Sequence, residues 1–185
     1  MDKFTLPTSV VLGDNVEIEI NSDFRDILKI FSVLNDEDLT EPERIIVSLQ
    51  LFYRTSAYRE YIEEATQKMF EFMTIGEVEN KQPTHSKPLY DWEQDFDLIV
   101  APVNRVIGKD IRGVEYLHWW TFLSAFMEIG ECTFNTFVGI RNKLNKGKKL
   151  EKYEKDILKE NRDRIILKKK YDSTTQELMN EIMGV

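Results

Sequence analysis

Apolar side chains recur in this chain with two different periods, and the change of period fixes the fold class. Val10 and Leu12 precede Gly13-Asp14-Asn15; beyond it Val16, Ile18 and Ile20 point one way while Glu17 and Glu19 point the other. Period two around a Gly/Asp/Asn turn predicts a β-hairpin with one buried face. Such a hairpin is marginal alone, so it must pack on helices or pair with another chain's edge. From Phe24 onward the apolar spacing becomes three and four, the period of amphipathic helices. Eight glycines and five prolines in 185 residues are few for the turns of a many-stranded sheet. The fold class expected is mainly α, an N-terminal β-hairpin packed on a bundle of about six to seven helices.

Local signals place the helices. Asn21 or Ser22 caps one through about Leu34, with Phe24, Ile27, Leu28, Phe31 and Leu34 on its face. Thr40 and Glu43 form a capping-box pattern with Pro42 in the first turn, opening a second helix to about Tyr53. A third spans Ala57 to Gly76, and polar Glu77 to Lys87 reads as a linker. Leu89 to Phe126 then reads as two consecutive helices, LYDWEQDFDLIVAPVNRVIG and GVEYLHWWTFLSAF, joined by Lys109 to Arg112. Pro102 lacks an amide proton and predicts a kink or break near Leu98 to Pro102. Thr133 caps a further helix, Asn142 to Lys149 turns, and Leu150 to Lys170 forms a charged helix ahead of a weakly ordered tail. Three segments follow: residues 1–20 a hairpin arm, 21–145 a helical core domain, and 146–185 a charged C-terminal helix and tail.

Charge is unevenly spread. Residues 1–140 carry 12 Lys and Arg against 25 Asp and Glu, residues 141–170 carry 13 against 5, and the whole chain is at -8. An acidic body disfavours nucleic acid, while the basic segment suits an acidic partner, including another copy of the chain. No apolar run approaches the roughly 18 residues a membrane span needs. The opening MDKFTLPTSVVLGDN is too polar-interrupted for a secretory signal. The lone Cys132 has no disulfide partner within the chain and reads as a half-buried side chain in a reducing cytoplasm.

The candidate chemistry gathers in Leu89 to Phe126, which holds all three tryptophans, His118 and the acids Asp91, Glu93, Asp95 and Asp97. On a helix Asp91 and Asp95 share one face, and Glu93 and Asp97 another about 160° away, with the Trp92 stripe between. Metal or acid–base chemistry would need these carboxylates to converge with Glu115 and His118. The plainer reading is a solvated or partner-facing acidic rim and a core histidine that can bond one of those acids. Trp119 and Trp120, about 100° apart, send one ring into the core and the other to a second helix or an interface. The series Lys143, Lys146, Lys148 and Lys149 is a solvated turn or an electrostatic docking patch. Phosphate-loop and hydrolase-elbow patterns are missing. No catalytic, metal or cofactor role is expected.

The same segment resembles a family of bacteriophage proteins known as Gp-fifteen. The resemblance rests on Tyr90-Asp91-Trp92-Glu93-Gln94-Asp95 and on Leu117-His118-Trp119-Trp120 with Phe122. Looser matches lie at Leu6-Pro7-Thr8, Asn21 with Asp23-Phe24-Arg25, Gln50-Leu51-Phe52-Tyr53 and Gly139-Ile140-Arg141. It implies a tail-module protein of long-tailed phages, prophages or phage-derived particles, whose gene lies near that of the tape measure. By that resemblance the expected function is a non-enzymatic tail-assembly factor, chaperone-like, at work in the bacterial host cytoplasm. Its expected partners are the tape-measure and major tail-tube proteins, alongside self-association. The expected contact residues are the exposed subset of Trp92, Trp119, Trp120 and Phe122, with Asp91, Glu93, Asp95 and His118 around them. The alternatives are a structural component retained in the particle, a hydrolase or metal-dependent enzyme using Asp91, Asp95, Glu115 and His118, and a nucleic-acid-binding regulator acting through residues 141–170.

Overall fold

The two periods read from the sequence become a two-stranded antiparallel hairpin followed by helices in the computed structural model, which describes residues 4–75 and 87–168. The expected linker lies almost wholly, and the tail from Tyr171 wholly, outside the described residues. The chain forms two compact units: residues 1–82 with 115–123, and residues 83–114 with 124–185.

In the first unit, β1 (Ser9–Leu12) pairs with β2 (Val16–Glu19), Val10 opposite Ile18 and Leu12 opposite Val16. Val10, Leu12, Ile18 and Ile20 are buried while Val11, Glu17 and Glu19 face solvent, as period two requires. The turn works because Gly13 and Asn15 take φ of 51° and 70°, a region that favours residues without a bulky Cβ. Gly13 is needed for a second reason: a Cβ there would lie 2.3 Å from the Tyr61 ring.

Helix α1 (Phe24–Leu34) is capped by Asp23, and neither Asn21 nor Ser22 takes that role as expected. The cap must stand immediately before the first helical residue, where its carboxylate reaches the Arg25 amide at 2.9 Å. The two expected caps are used elsewhere: Asn21 donates to the Leu51 carbonyl, and Ser22 Oγ bonds the Tyr116 hydroxyl. Helix α2 (Glu41–Phe52) opens with the Thr40–Glu43 capping box and Pro42 as read from sequence. Ser56–Tyr61 forms a 3₁₀ turn, so α3 (Ile62–Met73) starts later than the apolar pattern alone suggests. Tyr53 closes this region, its buried hydroxyl donating to the Ala65 carbonyl at 3.0 Å. Burial raises its pKa.

In the second unit, α4 (Phe96–Ile107) begins only after Asp91, Glu93 and Asp95, which form a turn ahead of it, and keeps Asp97 in its first turn. Of the kink or break expected near Leu98 to Pro102, the break does not occur; α4 runs on with Pro102 inside it. A 3₁₀ turn at Ile111–Gly113 follows. Helix α5 (Trp119–Met127) starts later than the pattern suggests, because Asp23 pairs with His118 as a β-bridge. Trp119–Leu123 belong to the first unit and Ser124–Met127 to the second. Helix α6 (Thr133–Asn145) has the half-buried Cys132 at its N-cap position with no side-chain cap bond, and Thr133, the expected cap, is its first helical residue. The expected long charged helix is divided at Asn161 into α7 (Lys152–Glu160) and α8 (Arg162–Ile165). Phe137, Ile140, Leu150 and Ile165 form one core cluster of this unit, with Leu98, Ile157 and Leu158 packed on it. Among the described residues no helix is long and apolar enough to cross a membrane.

Candidate functional site

The two halves of the aromatic and acidic signature build two separate joints, one in each unit. The first joint belongs to Leu117 to Phe122. The Asp23 carboxylate that caps α1 also accepts from the Leu117 amide at 2.9 Å, so one side chain fixes a helix start and the approach to α5. Phe24 N–H donates to the Leu117 carbonyl and Trp119 N–H to the Ser22 carbonyl, at 2.9 and 2.8 Å.

Trp119 and Trp120 end at neighbouring carbonyls. The Trp119 indole donates to Met73 O at 2.9 Å and the Trp120 indole to Phe72 O at 2.8 Å. These are the last two carbonyls of α3, which a helix leaves without intrahelical donors. Adjacent indoles suit such a helix end, because each buries a large apolar body while its single N–H finds a partner. Trp119 packs with Phe31 and Phe122, and Trp120 stacks on Phe72 at a centroid distance of 5.7 Å. Both rings are buried, so neither is directed to an interface as the 100° separation allowed.

His118 is a core histidine, but among the described residues no carboxylate bonds it. Its Nε2 lies 2.9 Å from the Pro7 carbonyl and its Nδ1 accepts the Trp120 amide at 3.0 Å. This pair of bonds fits one neutral tautomer, protonated at Nε2. Burial lowers its pKa, and the Pro7 bond offsets part of that shift.

The second joint is ionic. Asp95 and Arg141 form a bidentate pair, Nη1 to Oδ2 at 2.6 Å and Nη2 to Oδ1 at 2.9 Å, with side chains 1% and 4% exposed. The guanidinium also donates to the carbonyls of Leu89, Ile165 and Arg164, at 3.1, 2.6 and 2.7 Å. Five N–H groups thus meet five acceptors, the condition under which a buried charge pair is tolerated. The rest of the acidic motif supports the joint. Asp91 accepts from the Gln94 amide and donates its own amide to Asp95 at 3.0 Å. Gln94 donates to the carbonyls of Arg164 and Ile166 and accepts from the Lys168 amide. Tyr90 and Trp92 meet edge to face at 5.0 Å and pack on Phe126. Burial drives the Tyr90 pKa well up.

Of the eight residues expected at a contact surface, seven are buried: Asp91, Trp92, Asp95, His118, Trp119, Trp120 and Phe122. Glu93 alone is exposed. The solvated acidic rim is thereby corrected for Asp91 and Asp95. Those acids stand in a turn, where the Gln94 amide draws the Asp91 carboxylate inward and the Asp91 amide with the distant Arg141 guanidinium draws in that of Asp95. Asp91 and Asp95 belong to the second unit and Glu115 and His118 to the first. Among the described residues no group of three or more His, Cys, Asp or Glu is placed to hold a metal ion. The basic series also divides. Lys143 Nζ is held by both Glu154 oxygens at 2.7 and 2.8 Å, whereas Lys146, Lys148 and Lys149 are exposed in the turn beyond α6. That bond raises the Lys143 pKa and lowers that of Glu154.

Arg141, Gln94, Asp23 and Pro7 are the partners that periodicity missed. Signals for three of them lay in the looser matches, since Pro7, Asp23 and Arg141 each fall in one. Those short segments meet the motif residues in space: Pro7 at His118, Asp23 at Leu117, and Arg141 at Asp95.

The chain matches the family described as Bacteriophage Gp15 protein over residues 5–171, and it belongs to that family. No curated protein and no solved structure matches it.

Proposed function

We propose that the protein is a non-enzymatic tail-assembly factor of a phage or phage-derived particle, chaperone-like, that binds the tape-measure and tail-tube proteins. The observation that carries this reading is membership of the Gp15 family over residues 5–171. With most of the signature buried, the client surface falls to other residues. The described residues of the first unit carry 6 Lys and Arg against 15 Asp and Glu, a balance of -9. Among those acids Ile46, Ile62 and Tyr116 are 49, 48 and 50% exposed. Apolar anchors in an acidic field suit an amphipathic helix with basic flanks, the kind of segment a long tape measure offers.

Co-expression with a tape-measure fragment tests this reading. The fragment is expected to become soluble and to co-purify, and Ile46→Asp with Ile62→Asp is expected to abolish capture while the fold is retained. A fragment that stays insoluble and unbound would count against the reading. Mass spectrometry of purified particles separates it from a retained structural component, which would be present at stoichiometric level.

A further inference from the structure

We infer that the protein self-associates head to tail, the lysine face of α7 in one copy docking on the acidic α1–α2 corner of a second copy. This goes beyond the proposed assembly role and stands without it. The lysine face has two parts. Lys146, Lys148 and Lys149 project from the turn after α6, and Lys152, Lys155 and Lys159 follow at spacings of three and four along α7. That spacing puts the last three on one face, along roughly 10 Å of helix. Glu154, Ile157 and Leu158 point the other way, into their own unit. All six lysines are exposed, and among the described residues none is paired with a carboxylate. Tyr153 beside them is 61% exposed, so the face also carries apolar area.

The occupant follows from charge. Along α7 and its N-cap the lysines alternate with exposed Glu151, Asp156 and Glu160, and the described part of the second unit is only at +3, with 15 Lys and Arg against 12 Asp and Glu. A mixed surface of this kind repels a continuous row of phosphates at every acid, whereas a protein surface can match it group by group. The acidic partner at hand is the first unit of another copy. Its densest part is Asp36, Glu37, Asp38 and Glu41, exposed between α1 and the first turn of α2, with the 49% exposed Ile46 one turn further on. Among the described residues none of these four acids is paired with a cation. Because the two faces differ, the contact is heterologous and propagates into chains or closes into rings.

Sedimentation velocity of the full chain at rising concentration tests this. In about 0.1 M NaCl the mass should grow beyond the 21.9 kDa monomer, and in about 1 M it should return to it as the screening length falls from roughly 10 to 3 Å. K148E/K152E/K155E/K159E and E37K/D38K/E41K should each weaken association at least about tenfold, and an equimolar mixture should restore it, because both contacts are then complementary again. The salt titration of the wild-type chain keeps the test decisive if a variant fails to fold. A chain that stays monomeric in low salt would overturn the inference. Assembly that neither reversal weakens, or a lysine face that binds a DNA duplex while the protein remains monomeric, would overturn it too.

Discussion

The joint in the first unit and the joint in the second secure the same kind of group with opposite chemistry. In the first, a neutral histidine and two indoles hold backbone carbonyls of Pro7, Phe72 and Met73. In the second, a buried ion pair holds backbone carbonyls of Leu89, Arg164 and Ile165. Both tie distant chain segments by giving backbone acceptors a fixed side-chain donor, which is why motif residues and remote carbonyls come together. The difference lies in how each fails. Losing the Trp119 indole N–H takes the side-chain donor from one carbonyl and costs some packing, whereas losing Arg141 strands a charge in a site 1% exposed.

Arg141→Met should therefore have the largest effect, a loss of about 3–5 kcal/mol in chemical denaturation. Asp95→Leu combined with it should recover much of that loss, since no uncompensated charge remains. A single variant within about 1 kcal/mol of wild type would mean the pair is not the joint described. Trp119→Phe breaks the opposite joint more gently: about 2–3 kcal/mol from the orphaned Met73 carbonyl and the lost ring volume, with little dependence on salt. Asp23→Ala removes the α1 cap and the Leu117 acceptor together, for about 1–2 kcal/mol. Hydrogen exchange should then show the amides of Arg25 and Leu117 faster in concert, and an unchanged Leu117 would separate the two roles.

The smallest effect sharpens the contrast through pH. Burial holds the folded His118 pKa below the unfolded value of 6.5, so the unfolded chain binds the extra proton more readily. The stability gained from a neutral His118 is full above pH 6.5 and is lost as pH falls from there through the lower folded value. Glu43, Asp110 and Glu154 are shifted down from carboxylate values, so their losses begin at lower pH. Denaturation midpoints between about pH 7 and 5 should decline in the wild type and flatten in His118→Gln. Equal slopes would show that another group carries the effect.

Local patterns are legible wherever the cause is local. The hairpin follows from alternation and its Gly-Asp-Asn turn, and α2 from Thr40, Pro42 and Glu43, because those groups interact within a few residues. Helical spacing alone puts the acidic run in the first turns of α4, because it cannot tell a carboxylate that faces solvent from one that folds back on its own turn. Asp91 closes onto Gln94, and that closure delays the helix to Phe96. Likewise α5 begins at Trp119 because Asp23, 94 residues earlier, claims the Leu117 amide.

By itself the sequence determined the fold class, the hairpin, the helix content, the charge asymmetry and the family signature. These depend on period, composition and short-range capping. Tertiary structure alone decided that the signature is core, that Arg141 leaves the basic segment to neutralise Asp95, and that two adjacent tryptophans close the end of one helix. Each of those outcomes sets a buried polar group against an acceptor far along the chain, and the cost of leaving it unpaired is felt only once the chain has folded.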